Sequence, residues 1–574
     1  MELWIIVFIG LIIFIIAWYV HDKYVQRTHQ ILVNYPIIGR LRFVFQEFRE
    51  PFRQYFGDEK FYESMDKLDW VYNAARDKVN FASFSPSQPL EKPKFMLRHT
   101  NIVLNDNEVE NDFSVVFGEK REKPFTSGSI MARAPMSDGS ISPEGTRAFV
   151  YGSKLGNFPI NSGEGGLTSN FFVTHNNYDT KYITEVRGNS FAYKIFKLSK
   201  VLFNVPVAVD FYRKIVFKKD PLADTYVFDK EKECFFRPNW DAPLENFPKE
   251  VPSDMPDIIL QISSGFYGVR NRAGEFDIER YTKQMSFCRM TEIKLAQGAK
   301  QTGGKLVAHK VTPSIAYYRN IEAHKDAFSP NRFPYANSIE ELFDFIGTLQ
   351  EASKKPVGIK IVISDYDNIV PIAKEIKRRV ELNLPYPDYI SIDGGSGGSA
   401  TAPLDMMERI GMDIRDALYL VDKVLTDYGV REHMKISASG KILTPDDIII
   451  ILCLGADFVQ IARGFMMSAG CIRARFCSGA TKHQCPVGLA TQDIKKRKYF
   501  FVKKHSENVK NYHNNLLKSM KSLLAVMGLK NVKDLSKEKL IFLDKDSIIH
   551  DDMDELFERR VLKKNDSKSK SLEN

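Results

Sequence analysis

Apolar residues run without a charge from Leu3 to Val20, LWIIVFIGLIIFIIAWYV, before any periodic pattern begins. As a helix this stretch would be about 27 Å long, enough to cross the hydrocarbon core of a bilayer. Trp18 and Tyr19 close it, where amphipathic rings favour the headgroup level. The start carries Glu2 in place of a Lys or Arg, and the far end is bulky, which is unlike a cleaved signal peptide. The pattern predicts a single-pass membrane anchor over 1–20, against a signal peptide or a buried soluble helix. Lys23, Arg27, Arg40 and Arg42 follow the segment, so everything after Val20 is expected in the cytoplasm. Over 21–125 the apolar residues recur at helical spacing, broken at Pro51, and predict a juxtamembrane helical region packed on the main body.

From about residue 126 the pattern changes. Short apolar runs end in Gly, Ser or Asp, as in SIMARAPMSDGS, NFPINSGEGG, MTEIKLAQGAK, PVGIKIVIS, YISIDGGSGGSA, MKISASGK and ADFVQIARG. Helical stretches such as IEELFDFIGTLQEASK and RDALYLVDKVLTDYG lie between them. This alternation predicts an α/β domain with a parallel sheet. Glycines after several different strands favour a (β/α)8 TIM barrel over 126–495, whose site is built from loops at the strand C-termini. No G-x-G-x-x-G follows the first strand, which argues against a dinucleotide-binding sheet. Residues 176–257 interrupt the alternation with an aromatic, basic segment. It reads as an insertion in a barrel loop that either covers the site or touches the membrane. Residues 496–574 read as C-terminal helices ending in the polar tail KKNDSKSKSLEN, which is expected to be disordered.

Composition changes this picture little. The chain of 574 residues carries 81 Lys and Arg against 72 Asp and Glu, a net charge of +9. That mild excess suits a negatively charged cofactor, a small acidic substrate or a membrane surface. No Arg/Lys-dense strip with interleaved aromatics is present, so nucleic acid is not an expected partner.

The candidate chemistry lies in the strand-end loops. Asp393, Gly394, Gly395, Gly397 and Gly398 follow the apolar run PDYISI, and glycines there let backbone amides approach an anion or a flat ring. Gly440 in ISASGKI and Gly464 in QIARGFM stand where a barrel commonly binds phosphate, with Arg463 beside the second. Other loops offer Glu164, Lys294, Gln297 and Lys300. Lys360 sits inside the apolar strand VGIKI, where it is costly to bury without a carboxylate or anion partner. Cys471, Cys477 and Cys485 cluster among only six cysteines. In a reducing cytosol, clustered thiols are more often metal-binding or catalytic than disulfide-bonded. Reduced structural cysteines remain open, as does a zinc site completed by His483, although the spacing matches no usual zinc pattern.

The motifs NSGEGG, KLAQGAK, DGGSGGSATAPL, SASGK and CPVGLATQD, in this order, resemble the FMN-binding synthase domain of glutamate synthase. The whole arrangement resembles the stand-alone glutamate synthase-like proteins, over about residues 30–530 with 176–257 unmatched. The resemblance implies an FMN-bearing barrel in which reduced flavin delivers hydride to an imine of 2-oxoglutarate and ammonia, or the reverse oxidation of an amino acid. It implies that Met136 and Ser137 contact the flavin, that Lys360 and the Asp393 glycine run surround the ring and ribityl chain, and that Gly440 and Gly464 hold the phosphate. Glu164, Gln297 and Lys300 would line the 2-oxo acid pocket. In this family three cysteines spaced C-x5-C-x4-C hold a 3Fe–4S cluster fed by ferredoxin or a partner reductase. Here the spacing is C-x5-C-x7-C, so the cluster is either kept on a longer loop or lost. The amidotransferase and nicotinamide regions of glutamate synthase are not matched, and Asp138 stands where the family has an aromatic residue. Two competing readings are oxidation of a 2-hydroxy acid, for which His309 is the candidate base, and a non-catalytic flavin scaffold in a membrane complex.

Overall fold

The strand segments are runs of mostly four or five residues buried on both faces, as a parallel sheet covered by helices requires. The computed structural model describes residues 2–47, 64–80, 94–172, 183–186, 191–198, 206–217, 226–229, 234–238, 251–252, 255–298, 303–403, 405–406, 409–473, 476–478, 484–497, 500–544, 546 and 548–559. Eight parallel strands close into a barrel in sequence order. They are β1 (Met131–Arg133), β2 (Ile160–Asn161), β3 (Ile258–Ile262), β4 (Met290–Lys294), β5 (Val357–Ile361), β6 (Tyr389–Asp393), β7 (Lys435–Ser439) and β8 (Phe458–Ile461). β8 returns to pair with β1 through Val459↔Met131, so no edge is left open.

The first helix, α1 (Glu2–Val20), is exposed over almost all its length and is long and apolar enough to cross a membrane. α2 (Met65–Ala75) is capped by the Ser64 side chain. The helices that wrap the barrel are α3 (Pro143–Gly156), α4 (Ile278–Met285), α5 (Ile339–Ser353), α6 (Val370–Glu381), α7 (Ile414–Asp427) and α8 (Pro445–Cys453). Their starts are written in the sequence. Ser142 caps α3 ahead of Pro143, Ser338 caps α5, and Thr444 with Asp447 forms a capping box on α8. α9 (Arg463–Ser468) follows β8, and α10 (Val502–Val526) closes the set.

The extensions differ from the expectation of helices alone. The region 21–125 also carries the strands Lys94–Leu97, Val115–Phe117 and Phe125–Ser127. Lys94–Leu97 pairs antiparallel with Leu540–Leu543, so the preface and the C-terminal extension share one sheet. α10 is packed on the barrel's outer layer. It lies against α3 so closely that a side chain at Gly152 would overlap Val509. The insertion, where described, has its own small aromatic core of Phe196, Phe217, Tyr226 and Phe235. The expected break at Pro51 and the tail 563–574 fall outside the described residues.

A polar knot fills the centre of the barrel. The Glu292 carboxylate, fully buried, accepts from Gln261 at 2.7 Å, Asn161 at 2.9 Å, Ser391 at 2.6 Å and Gln460 at 2.8 Å. Four donors compensate the buried charge. The Asn161 side chain also accepts from the Gly163 amide at 3.0 Å, which ties this knot to the turn above it.

Candidate functional site

Side chains alternate along a strand, so Glu292 and Lys294 of β4 point the same way, into the barrel. Lys294 therefore stands one layer above the buried carboxylate, at the mouth. Its ammonium donates to Glu164 Oε2 at 3.0 Å, across the loops after β4 and β2. Both side chains are largely covered, at 9% and 21% exposure. Burial pushes the Glu164 carboxyl up, but Lys294 and Arg319 more than offset it and hold the group down at about 2. Arg319 ends the short helix Pro313–Arg319, is itself buried, and donates to Ser137 Oγ at 3.0 Å and to the Asp138 carbonyl at 3.1 Å. Burial lowers the Arg319 pKa, opposed by Glu164. One carboxylate and two cations thus converge above β1, β2 and β4, an arrangement able to seat a small organic acid.

The loop geometry explains the glycines that frame this pocket. Gly163 has φ +65°, and a Cβ there would lie 2.5 Å from the Ser137 amide nitrogen. Only glycine lets the β1 and β2 loops meet so closely. Asp138 turns away from the mouth into a buried knot, accepting from Thr146 at 3.1 Å and Asn170 at 2.7 Å.

A second cluster lies over β4 to β7. Lys360 is buried, with its ammonium 3.4 Å from Asp393 Oδ2. Asp393 also accepts from the Ser439 hydroxyl at 2.6 Å and the Gly298 amide at 2.8 Å. Gly394 donates to the Ser439 carbonyl at 2.8 Å, and Gly394 and Gly440 pack together without side chains between them. A Cβ on Gly398 would sit 3.3 Å from the Arg463 guanidinium, which brings the β6 and β8 loops to one place. The buried Ser396 hydroxyl within this glycine run has no hydrogen-bond partner. Like that of Gly394, the Gly395 and Gly397 amides are taken, by the Met412 and Gly394 carbonyls, which leaves the Ser396 and Gly398 amides, one buried cation and an open hydroxyl as a wall suited to a flat anionic group. Gly464 has a different neighbour: its Cα faces the buried Tyr512 hydroxyl of α10.

The cysteine loop lies beside this mouth. Burial raises the Cys471 thiol to about 12, and burial with the nearby Cys485 raises Cys477. The three thiols bear on one another electrostatically, yet among the described residues no three His, Cys, Asp or Glu groups are gathered as a metal-ligand set. The loop is held from several sides. Tyr72 donates to the Cys471 carbonyl at 2.9 Å, and Asn34 donates to the Pro486 carbonyl at 2.6 Å. The buried Lys310 ammonium donates to the carbonyls of Cys477 at 2.6 Å, Ala490 at 3.2 Å and Ser140 at 3.3 Å. Lys310 therefore leaves one cation beside the thiols.

Of the residues singled out in the sequence, Met136, Ser137, Glu164, Lys294, Lys360, Asp393, Gly394, Gly398, Gly440 and Arg463 fall in these two adjoining clusters. Gln297 immediately precedes the Gly298 amide that binds Asp393. Lys300 and His483 lie outside the described residues. Arg319 was not singled out. A lone arginine in PSIAYYRN carries no spacing signal, and only the fold carries it to Glu164. Lys310 and Glu292 were missed for the same reason.

The family model described as the conserved region in glutamate synthase matches residues 71–530. The glutamate synthase large subunit-like protein YerD of Bacillus subtilis (strain 168) is 29% identical over 586 residues, covering 94% of this chain and 95% of that protein. The archaeal glutamate synthase (NADPH) of Methanocaldococcus jannaschii is 33% identical over 291 residues, covering 50% of this chain and 53% of its own length. The chain thus spans about half the length of the archaeal relative. Among solved structures, the recombinant flavin-binding domain of baker's yeast flavocytochrome b2 has a TM-score of 0.39 at 10% identity, covering 85% of this chain and 82% of that one.

Proposed function

The chain belongs to the glutamate synthase family, and from that premise we propose that it is a membrane-anchored, FMN-dependent oxidoreductase of glutamate synthase type. Its substrate would be a 2-imino acid, formed from 2-oxoglutarate and ammonia or from a related pair. The observation that carries the reading is the convergence of Glu164, Lys294 and Arg319 next to the glycine-lined wall of Lys360 and Asp393. The wall fits an FMN by its donor set: the Lys360 cation, the amides of Ser396 and Gly398, the unpartnered Ser396 hydroxyl, and Arg463 near Gly398 for the phosphate. Bound and reduced, the flavin would supply hydride to the imine carbon. The chain's own residues would do the rest. Lys294 and Arg319 would hold a substrate carboxylate, with Gln297 and Lys300 closing the pocket. Glu164 would stay ionised and keep the two cations in register.

Thiol chemistry and the Lys310 cation support a 3Fe–4S cluster on Cys471, Cys477 and Cys485, taking electrons from a ferredoxin-like donor or a partner reductase. Thiolate ligands carry net negative charge, and a fixed ammonium beside them offsets it. α1 supports single-pass anchoring with the body in the cytoplasm.

The test is made on full-length protein purified anaerobically in detergent. Flavin absorbance should be present and bleach on photoreduction. Reduced flavin should reoxidise when 2-oxoglutarate and ammonium are added together, and glutamate should form in step with it. Protein without flavin, or reoxidation that ignores both substrates, would sink the proposal. Iron counted per chain, with low-temperature EPR on the same sample, decides the cluster.

A further inference from the structure

The insertion exposes what a soluble domain would hide. Its helix Phe191–Leu198 buries Phe196 in the aromatic core but leaves Phe191 and Ile195 exposed, at 78% and 41%. Its helix Pro206–Val216 likewise exposes Phe211 and Ile215, at 58% and 43%. Each pair is spaced i, i+4 and so shares one helix face. Lys194 is exposed beside the first pair. The two helices pack on each other, and the second packs on His21–Val25, the direct continuation of α1. The short helix Leu41–Glu47 repeats the pattern, exposing Leu41, Val44 and Phe45. It is tied back to the end of α1 by Arg40, whose guanidinium donates to the buried Asp22 at 2.8 Å.

We propose that the outward faces of Phe191–Leu198 and Pro206–Val216 form a second membrane contact, lying in the interfacial zone of the bilayer beside α1. The inference rests on the reading of α1 as a membrane anchor. The argument is one of continuity. A helix crossing the bilayer ends at the headgroup level, and the insertion is packed on that end. Exposed Phe and Ile at i, i+4 beside Lys on the same helix are the composition of a helix lying in the interface. A second copy of this chain is the competing occupant. Nothing joins it to α1, whereas the bilayer meets both surfaces at once. The contact would fix the orientation of the barrel, holding the body against the membrane where a single flexible tether would let it swing.

The test uses full-length protein in vesicles of phosphatidylcholine and phosphatidylglycerol containing a phospholipid with a diazirine on its acyl chain. After irradiation, lipid adducts are mapped by peptide mass spectrometry. Adducts are expected in α1 and in both insertion helices. The variant Phe211→Ser/Ile215→Ser should lose adducts over 206–216 several-fold while keeping those in α1 and the wild-type melting temperature. Adducts in α1 alone would overturn the inference and leave the anchor intact. Adducts in neither region would overturn the anchor and the inference with it. Chain-to-chain cross-links from Phe211→Cys in place of lipid adducts would assign the surface to a second copy.

Discussion

Asp393 serves three partners at once: the Ser439 hydroxyl, the Gly298 amide and the Lys360 ammonium. Removing the carboxylate strands a buried cation, whereas an apolar side chain of similar volume in place of Lys360 leaves Asp393 with two neutral donors. Asp393→Ala is therefore expected to cost about 3–5 kcal/mol, and Lys360→Met clearly less. Thermal melts of the two variants, with flavin content measured alongside, check this. Equal losses would mean that the pair does not hold the mouth together. Glu164 gives a pH signature. Its carboxyl is depressed from 4.5 to about 2 in the fold. A depressed carboxyl stabilises fully above its unfolded value and loses that contribution as pH falls through the folded one. The contribution is roughly 3 kcal/mol. The stability gap between wild type and Glu164→Gln should be widest at neutral pH and should close between pH 4.5 and 2. A gap that stays constant through that window would show Glu164 is not held ionised by Lys294 and Arg319.

The packing of α10 on α3 sets how far the barrel's outer layer can yield. A Cβ at Gly152 would lie 2.6 Å from Val509 Cβ and 3.0 Å from the Ser506 carbonyl, so the neighbour that must shift includes backbone. Overpacking of this kind costs about 1–3 kcal/mol. Gly152→Val should lower the melting temperature and open the α10 segment to limited proteolysis before the barrel strands. Cleavage that still begins elsewhere would place the weak point outside this contact. The same elements show what the sequence discloses. Seven strands are legible as an apolar run ending in Gly, Ser or Asp, because a barrel strand must be buried and its C-terminal loop must turn sharply. β3, in DIILQISSG, is not legible this way, because it follows directly on the insertion and its rim serines look like any turn. The strand Lys94–Leu97 was hidden because its pairing partner, Leu540–Leu543, lies at the other end of the chain. Local periodicity carries no record of such a partner. Lys360 was legible because a charge inside an apolar strand demands a counter-charge, and Asp393 supplies it. Arg319 and Lys310 were not, because their burial is a product of the fold alone.

The N-terminal segment reaches the cysteine loop by a short route, and that route joins α1, barrel and loop into one unit. Asp22 and Arg40 fix the turn after α1, and the Ile37 amide donates to the same carboxylate at 3.1 Å. From that turn, Asn34 donates to the Pro486 carbonyl next to Cys485, and Lys496 donates to the Tyr35 hydroxyl at 3.0 Å. Tyr72 of α2 holds the Cys471 carbonyl from the other side. These bonds place the loop next to the end of α1. They also make a prediction independent of any metal. Each bond contributes only about 1 kcal/mol, too little to shift global stability much but enough to alter local opening of the loop. In chelator-treated protein, Asn34→Ala combined with Tyr72→Phe should speed alkylation of Cys471 and Cys485 several-fold, read by peptide mass spectrometry, while the melting temperature stays near that of wild type. The buried Cys288, which lies in the barrel core, serves as the internal control and should not change. Unchanged rates at Cys471 and Cys485 would mean that Lys310 and the barrel hold the loop without the N-terminal segment. In that case α1 and the turn after it would have no part in how the thiols are presented.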